Sequence, residues 1–213
     1  MSGKYELAVS VLAKSPRVYR ALLRQAKSLT PHIHIDVMDG LFVKTKSIGQ
    51  DDIGRGSLGR SATVHLMVQS PLTWVTALKR SGCRRVIIHS EIPHFAMTHR
   101  AFRALGWQVG LALKSSTPIR VLTKVPAVTW IHLMDGPVGR YGARRTGHWV
   151  EHIRHASQTY PRAKISCDIG MNPQTIPAAV QAGATEIVVG SYVWSSPTPA
   201  KRWAALQAQQ RQI

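Results

Sequence analysis

The sequence predicts a (β/α)8 barrel, in which eight parallel strands close into a cylinder and helices surround it. Short apolar runs alternate with longer amphipathic stretches from one end of the 213 residues to the other. This alternation is typical of parallel α/β folds, and eight repeats of it match the strand count of the barrel. The chain contains no Pro-, Gly- or Ser-rich linker long enough to separate domains, so we expect a single domain over residues 1–213. A doubly wound open sheet is the alternative architecture with the same alternation.

The predicted strands are short runs dominated by Val, Ile, Leu and Ala. Such runs are expected of parallel strands, because helices cover one face and the opposite face is also buried. In chain order they span residues 7–12, 32–37, 62–67, 86–89, 109–113, 128–133, 165–167 and 187–189.

The predicted helices follow the strands and have amphipathic spacing with recognisable ends. In the first helix, Leu22, Leu23 and Ala26 share one face. The second helix has Pro71 near its start and Gly82 at its end, which is ordinary helix punctuation. The polar loop over residues 44–61 has a Gly-rich segment that is compatible with a short helix or with a mobile loop. In chain order the predicted helices span residues 18–28, 71–82, 95–105, 117–124, 149–157, 172–182 and 200–209.

Charge is the unusual feature of the composition. Lys and Arg together number 28 against 10 for Asp and Glu, which gives a formal net charge of +18. Such a chain attracts polyanions, so the charge favours either nucleic-acid binding or a solvated basic surface that draws in an anionic metabolite. The basic residues are scattered, and neither zinc-finger spacing nor an RNA-module aromatic motif is present. We therefore expect nucleic acid to bind only non-specifically.

The remaining composition indicates the compartment. No apolar run approaches the roughly 18 residues of a membrane span, and the N-terminal segment lacks the apolar core of a signal peptide. Cys83 and Cys167 are too few for a disulfide framework. We expect a cytoplasmic protein that does not contact a membrane. We also expect it to form a homo-oligomer.

The most informative motif is His34-Ile35-Asp36 in the second predicted strand. Residues two apart in a strand point to the same face, so the imidazole and the carboxylate lie side by side. His65 in the third strand and Asp168 after the seventh supply a second imidazole and a second carboxylate. In a barrel all four side chains lie at the carboxyl ends of the strands, where active sites form. Two His and two Asp predict a site for one divalent ion, namely Zn²⁺, Mn²⁺ or Fe²⁺.

Two carboxylates beside a metal can invert a stereocentre. One removes a proton from a carbon next to a carbonyl, and the other returns a proton to the opposite face, while the ion holds the oxyanion. Structural interpretations exist for single residues: a strand-end histidine such as His89 or His132 is usually hydrogen-bonded in a core or rim. Asp168 alone is compatible with capping a turn.

Three glycine-containing loops predict a phosphate site. Gly170-Met171-Asn172-Pro173 follows the seventh strand and Gly190-Ser191 follows the eighth, where barrels commonly bind phosphate through backbone N–H groups. The segment Gly139-Arg140-Tyr141-Gly142 after the sixth strand adds a third such loop and a cation. Plain turn formation is the alternative interpretation of each glycine.

Five segments, in order along the chain, resemble the ribulose-phosphate 3-epimerase family. The segments with His-x-Asp-x-Met-Asp-Gly and Val-His-Leu-Met are quite specific to it, and the similarity spans about residues 7–194. The segments are Ser10-Val11-Leu12, His34-Ile35-Asp36-Val37-Met38-Asp39-Gly40, Val64-His65-Leu66-Met67, Asp168 with Gly170-Met171-Asn172-Pro173, and Ala182-Gly183-Ala184 with Gly190-Ser191.

The resemblance implies a (β/α)8 barrel that interconverts D-ribulose 5-phosphate and D-xylulose 5-phosphate through a metal-held ene-diolate. It implies that Asp36 and Asp168 form the acid/base pair and that His34, Asp36, His65 and Asp168 bind the ion. The remaining implied residues contact the sugar phosphate. They are Ser10 at the sugar, Met38, Met67 and Met134 in a sulfur-rich lining, and Gly170, Gly190 and Ser191 at the phosphate. Beside the resemblance, we expect His65 and the glycines of the loop after the sixth strand, Gly139 and Gly142, to contact the substrate.

The chain departs from the family pattern at positions that cover the substrate. Asp168-Ile169-Gly170 stands where the family usually has Asp-Gly-Gly, and residues 135–145 replace its usual Pro-Gly-Phe-Gly-Gly-Gln loop. These changes leave open an epimerase for another ketose phosphate, such as allulose 6-phosphate. A catalytically inactive basic barrel that binds nucleic acid or a protein partner is the non-enzyme alternative.

Overall fold

The structure, a computed structural model, describes residues 5–139, 142, 145 and 147–212. Eight parallel strands pair in chain order, and β1 also pairs with β8, so the barrel is closed. This confirms the predicted barrel and excludes the open sheet. The strands are β1 (Glu6–Val11), β2 (Ile33–Met38), β3 (Thr63–Met67), β4 (Arg85–His89), β5 (Gln108–Lys114), β6 (Trp130–Met134), β7 (Lys164–Cys167) and β8 (Glu186–Val189).

Helices connect the strands around the outside. A short helix lies inside the predicted 44–61 loop, and another, not predicted, follows β8. The α-helices are α1 (Pro16–Leu29), α2 (Gln50–Gly54), α3 (Val75–Ser81), α4 (Phe95–Ala104), α5 (Trp149–Thr159), α6 (Ile176–Gln181), α7 (Ser191–Trp194) and α8 (Pro199–Gln210).

Three predicted helices were wrong in type or extent. The helix predicted over residues 71–82 begins as a 3₁₀ helix over Pro71–Trp74 and is α-helical only from Val75. The segment between β5 and β6 forms a 3₁₀ helix over Ile119–Lys124. It is rich in β-branched residues, which are poor α-helix formers, and Pro126 disfavours a helical conformation at Val125. The helix predicted over 172–182 begins only at Ile176, because the Asn172 side chain accepts the backbone N–H of Gln174 at 3.0 Å and forms a turn instead.

The core lies between the barrel and its helices. Alternate residues of each strand point outward into this layer or inward to the barrel axis. Ile35, Leu66 and Val189 belong to the large outer core. A small separate cluster of Ile87, Ala112 and Trp130 fills part of the interior.

Charged side chains occupy the amino ends of the strands. Arg85 donates to Glu186 at 2.8 Å, and Lys164 Nζ lies 2.7 Å from the same carboxylate. Glu6 also pairs with Lys164. The charges of this cluster are paired with one another. The cluster lies at the end of the barrel opposite the carboxyl ends of the strands, where active sites form. Among the described helices, none has the length and apolarity needed to cross a membrane.

Candidate active site

Histidine side chains line the interior towards the carboxyl ends of the strands. His34, His65, His89 and His132 come from β2, β3, β4 and β6, and all are buried. The rings of His34 and His132 stack with centroids 5.1 Å apart, and His65 meets His132 edge-on at 4.8 Å. Side chains from distant strands therefore converge at the barrel axis.

Asp36 lies among these rings. Its Oδ2 accepts a hydrogen bond from the Ser10 hydroxyl at 2.8 Å. Its Oδ1 lies 3.0 Å from His65 Nδ1 and 3.3 Å from His34 Nε2. The predicted neighbours His34, Asp36 and His65 are thus brought together.

Asp168 follows β7 and completes the cluster. One of its oxygens accepts the backbone N–H of Ile169 at 2.6 Å. One donor atom from each of His34, His65, His132 and Asp168 lies within 4.8 Å of the others. This group contains three of the predicted metal ligands, with Asp36 in contact with two of them. It also contains His132, for which the sequence pattern predicted no chemical role.

The two carboxyl groups have pKa values displaced in opposite directions. Burial opposes ionisation of Asp36, but the charge of His34 and the contact with His65 outweigh it and hold its pKa well below the usual range. Burial and the nearby charge of Asp36 raise the pKa of Asp168 to about 6. Burial also disfavours charge on His34, yet Asp36 raises the pKa of that ring. The negative field that favours a proton on His34 equally favours a metal cation.

A chain of contacts runs from Glu91 through His89 and His65 to Asp36. His89 Nδ1 lies 2.9 Å from Glu91 Oε2, and the Nε2 atoms of His89 and His65 are 3.0 Å apart. Burial lowers the pKa of His65 to about 4 and also lowers that of His89, so both rings are neutral at pH 7. Two neutral imidazoles carry two N–H groups, whereas the three contacts need three. One contact therefore lacks a proton.

A divalent cation fits the contact that lacks the proton. If ionised Glu91 accepts from His89 Nδ1, then His65 Nε2 donates to His89 and His65 Nδ1 presents a lone pair to Asp36. Two donor atoms each about 2.1 Å from one ion lie about 3.0 Å apart when the angle at the ion is 90° and about 3.4 Å apart when it is tetrahedral. The separations of Asp36 Oδ1 from His65 Nδ1 and His34 Nε2, 3.0 and 3.3 Å, lie within this range. His34 Nε2 is buried and has no hydrogen-bond partner among the described residues, so the donor set fits a metal.

A cavity that is partly open to solvent lies beside this cluster. Most of the predicted site residues line it, whereas His34, His65 and Met38 are buried and do not line it. The predicted residues that line it are Ser10, Asp36, Met67, Met134, Gly139, Gly142, Asp168, Gly170, Gly190 and Ser191. The predicted cation Arg140 and its neighbour Tyr141 lie outside the described residues.

The loop after β7 contains an unusual backbone conformation. Ile169, which lines the cavity, has φ +61°, and Gly170 has φ +68°. A β-branched residue incurs a steric penalty in this left-handed region, whereas glycine does not. Ile169 therefore occupies a position suited to glycine, at the departure from the Asp-Gly-Gly pattern.

Comparison with known proteins decides the family. The sequence model of the ribulose-phosphate 3 epimerase family matches residues 6–194. The chain belongs to the ribulose-phosphate 3-epimerase family. Its membership makes the protein an isomerase-class enzyme and supports epimerase activity on ribulose 5-phosphate.

Individual relatives agree with this assignment. Ribulose-phosphate 3-epimerase of Treponema pallidum is 30% identical over 207 residues, covering 92% of this chain and 94% of the relative. That of Bacillus subtilis is 31% identical over 172 residues, covering 76% and 79%. The cytoplasmic isoform of Oryza sativa subsp. japonica is 30% identical over 183 residues, covering 82% and 80%.

Solved structures support the fold. A 3-hexulose-6-phosphate synthase superposes with a TM-score of 0.70 at 17% identity, covering 96% of this chain and 99% of the other. The 3-hexulose-6-phosphate synthase of Salmonella typhimurium gives 0.71 at 14% identity, covering 97% and 99%. At these identities the likeness concerns the barrel alone.

Proposed function

We propose that the protein inverts C3 of D-ribulose 5-phosphate to give D-xylulose 5-phosphate by proton transfer between two carboxyl groups. The observation that carries this proposal is that Asp36 and Asp168, held by different strands, line one cavity together with the glycine loops. The family membership supports the same reaction.

The acid/base step follows from the two carboxyl groups. One of Asp36 and Asp168 takes the C3 proton as a carboxylate, and the electrons of the C–H bond move towards the C2 carbonyl to give an ene-diolate. The other carboxyl group then delivers a proton to the opposite face of C3, which inverts the centre. The Ser10 hydroxyl, bound to Asp36 Oδ2 at 2.8 Å, fixes the direction of that carboxylate. The opposite pKa displacements of a carboxyl pair are typical of acid/base sites.

His34, Asp36, His65 and Asp168 would hold a divalent metal ion, which we propose to be Zn²⁺, Mn²⁺ or Fe²⁺. When bound, such an ion supplies positive charge next to the substrate oxygens and so makes the C3 hydrogen more acidic. Two observations support this assignment: the contact between His65 and Asp36 lacks a proton, and His34 Nε2 lies 3.3 Å from Asp36 Oδ1 without forming a hydrogen bond to it.

The phosphate group would lie against the glycine loops. Gly170, Gly190 and Ser191 line the cavity and offer backbone N–H groups and a hydroxyl. A Cβ on Gly190 would lie 3.3 Å from Ser10 Cβ, so any larger residue there crowds the sugar end of the cavity. Gly139 and Gly142 line the same cavity from the loop after β6.

The decisive experiment separates proton removal from proton return. Asp36→Asn and Asp168→Asn should each lower kcat by about 10²–10⁴-fold, the usual contribution of an acid/base group. In D₂O each single variant should still exchange the C3 hydrogen of one epimer without inverting it, and the two variants should act on opposite epimers. Asp51→Asn, an exposed aspartate of α2, is the control and should keep full activity.

Two results would contradict the proposal. If the Asp36→Asn/Asp168→Asn double variant still epimerises ribulose 5-phosphate, the two-carboxylate mechanism is wrong. A kcat/KM for allulose 6-phosphate above that for ribulose 5-phosphate would retain the mechanism and change the substrate, as the altered loop after β6 allows.

A further inference from the structure

His132 lies in the candidate metal centre with one ring nitrogen unused. It stands on β6 and is fully buried. Its Nδ1 lies 2.9 Å from the Ser166 hydroxyl, while Nε2 has no hydrogen-bond partner among the described residues. A buried polar nitrogen left unsatisfied costs about 1–3 kcal/mol, so this atom calls for an explanation.

The His132 side chain lies among the proposed metal ligands. His132 is one of four residues whose donor atoms all lie within 4.8 Å of one another, with His34, His65 and Asp168. The ring stacks on His34 at 5.1 Å with an interplanar angle of 22°. Its surroundings are therefore those of the other proposed ligands.

Two similar sequence fragments place the His132 ring opposite His34. Ile33-His34 and Ile131-His132 open two similar fragments, which form parts of β2 and β6. In a closed eight-stranded barrel these strands stand on opposite walls. Inward-pointing residues at matching positions meet at the axis, and the imidazole of β6 faces the ligand of β2.

We propose that His132 is a further ligand of the metal centre, binding through Nε2, and that the resulting three-imidazole donor set makes the centre select Zn²⁺ over Mn²⁺. Imidazole nitrogen suits zinc, whereas manganese prefers carboxylate and water oxygens. In this arrangement His132 Nδ1 carries the ring proton and donates it to the Ser166 hydroxyl 2.9 Å away, which leaves Nε2 free for the ion. The inference rests on the proposed function for the presence of an ion in this site.

The test measures metal affinity and coordination rather than turnover. Apo protein is titrated with Zn²⁺ and separately with Mn²⁺ in competition with a chromophoric chelator, for the unaltered chain and for His132→Gln. We expect the substitution to weaken Zn²⁺ binding by at least about tenfold and Mn²⁺ binding by less than about threefold. His99→Gln, which removes a histidine from the outer helix α4, is the matched control and should change neither affinity. Circular dichroism establishes that each variant is folded.

X-ray absorption of the zinc-loaded, unaltered protein tests the same inference without a variant. Scattering from three imidazole rings supports the proposal, and scattering from two overturns it. A folded His132→Gln protein with unchanged Zn²⁺ affinity also overturns it. If X-ray absorption shows three imidazoles but the protein does not epimerise ribulose 5-phosphate, His132 is supported as a metal ligand and the proposed substrate is refuted. Failure of the apo protein to bind Zn²⁺ would refute both the ligand and the metal-assisted mechanism.

Discussion

Replacing Glu91 by glutamine tests the contact chain behind the candidate metal centre. Glu91 Oε2 faces His89 Nδ1 at 2.9 Å, and Oε1 accepts the Lys114 backbone N–H at 2.8 Å and the Thr117 hydroxyl. Both oxygens therefore face donors. An amide has one oxygen and one NH₂, so a glutamine side chain at this position cannot accept from both sides.

The magnitude follows from the Glu91 pKa. Burial raises it, but the hydrogen bond from His89, the charge that His89 carries in acid, and the hydrogen bonds from Lys114 and Thr117 outweigh burial and lower it from 4.5 to about 2. At 1.36 kcal/mol per pH unit, this favours the ionised form in the folded protein by about 3 kcal/mol. We expect Glu91→Gln to lose up to that amount at pH 7. For a chain of this size the loss lowers Tm by up to about 10 °C.

The pH dependence has a defined sign. A carboxyl group whose pKa is lower in the folded state stabilises the protein above its unfolded pKa, and this stability is lost as the pH falls. The difference in Tm between the unaltered chain and Glu91→Gln should therefore be full above about pH 5 and shrink between pH 4.5 and about 2. Thermal unfolding is followed by circular dichroism with a chelator present, so that metal binding does not contribute. Glu151→Gln, the same change at an exposed position of α5, should lower Tm far less.

A second readout concerns the histidine tautomers. If the amide NH₂ of the Glu91→Gln variant donates to His89 Nδ1, then His89 Nε2 donates to His65, and the His65 proton moves to Nδ1, where it faces Asp36. Zn²⁺ affinity should fall about 10–100-fold, as expected when an outer partner of a ligand is lost. The ¹⁵N shifts of the imidazoles report the tautomers directly. A Tm and a zinc affinity that both stay unchanged at pH 7 would refute the reasoning.

Three further predictions concern the backbone, the interior packing and the metal. Ile169 has a φ of +61°, which only glycine adopts freely. In urea unfolding, Ile169→Gly should therefore be more stable than Ile169→Ala by about 1 kcal/mol, the reverse of the usual order. Equal stability of the two variants would contradict this prediction. Gly110→Ala puts a Cβ 2.9 Å from both Ile87 and Trp130 and should cost about 1–3 kcal/mol of unfolding free energy, whereas Gly147→Ala, with nothing within 4 Å of its Cβ, should unfold like the unaltered chain. Zn²⁺ at 100 times its Kd should stabilise apo protein by about 2.7 kcal/mol, measured as a rise in Tm that EDTA reverses; an unaffected Tm would count against an ion in the folded site.

Local sequence periodicity was enough to predict the strands and most helices. Apolar runs of strand length separated by amphipathic stretches recur eight times, which matches the strand count of the barrel, whereas closure is seen only in the pairing of β1 with β8. The prediction was wrong for Ile119–Lys124, because β-branched residues and Pro126 disfavour the α-helix that the rest of this segment resembles. The short helix α7 has too few residues for a periodic signal.

The candidate site was predictable to the extent that it follows from alternation within strands. His34 and Asp36 share a face because they are two residues apart, and His65 and Asp168 stand near the carboxyl ends of their own strands. These positions predict that the four residues lie at one end of the barrel. In the structure Asp36 lies 3.0 Å from His65 and 3.3 Å from His34, and a donor atom of Asp168 lies within 4.8 Å of one from each histidine.

The tertiary structure alone decided which inward faces meet. His132 approaches His34 because β2 and β6 face each other across a closed barrel, and the chain of contacts from Glu91 to Asp36 forms only when β2, β3 and β4 are aligned in register. Sequence spacing determines the direction of a side chain relative to its own strand. The distance between side chains of strands about a hundred residues apart depends on closure, register and twist, which no local pattern encodes.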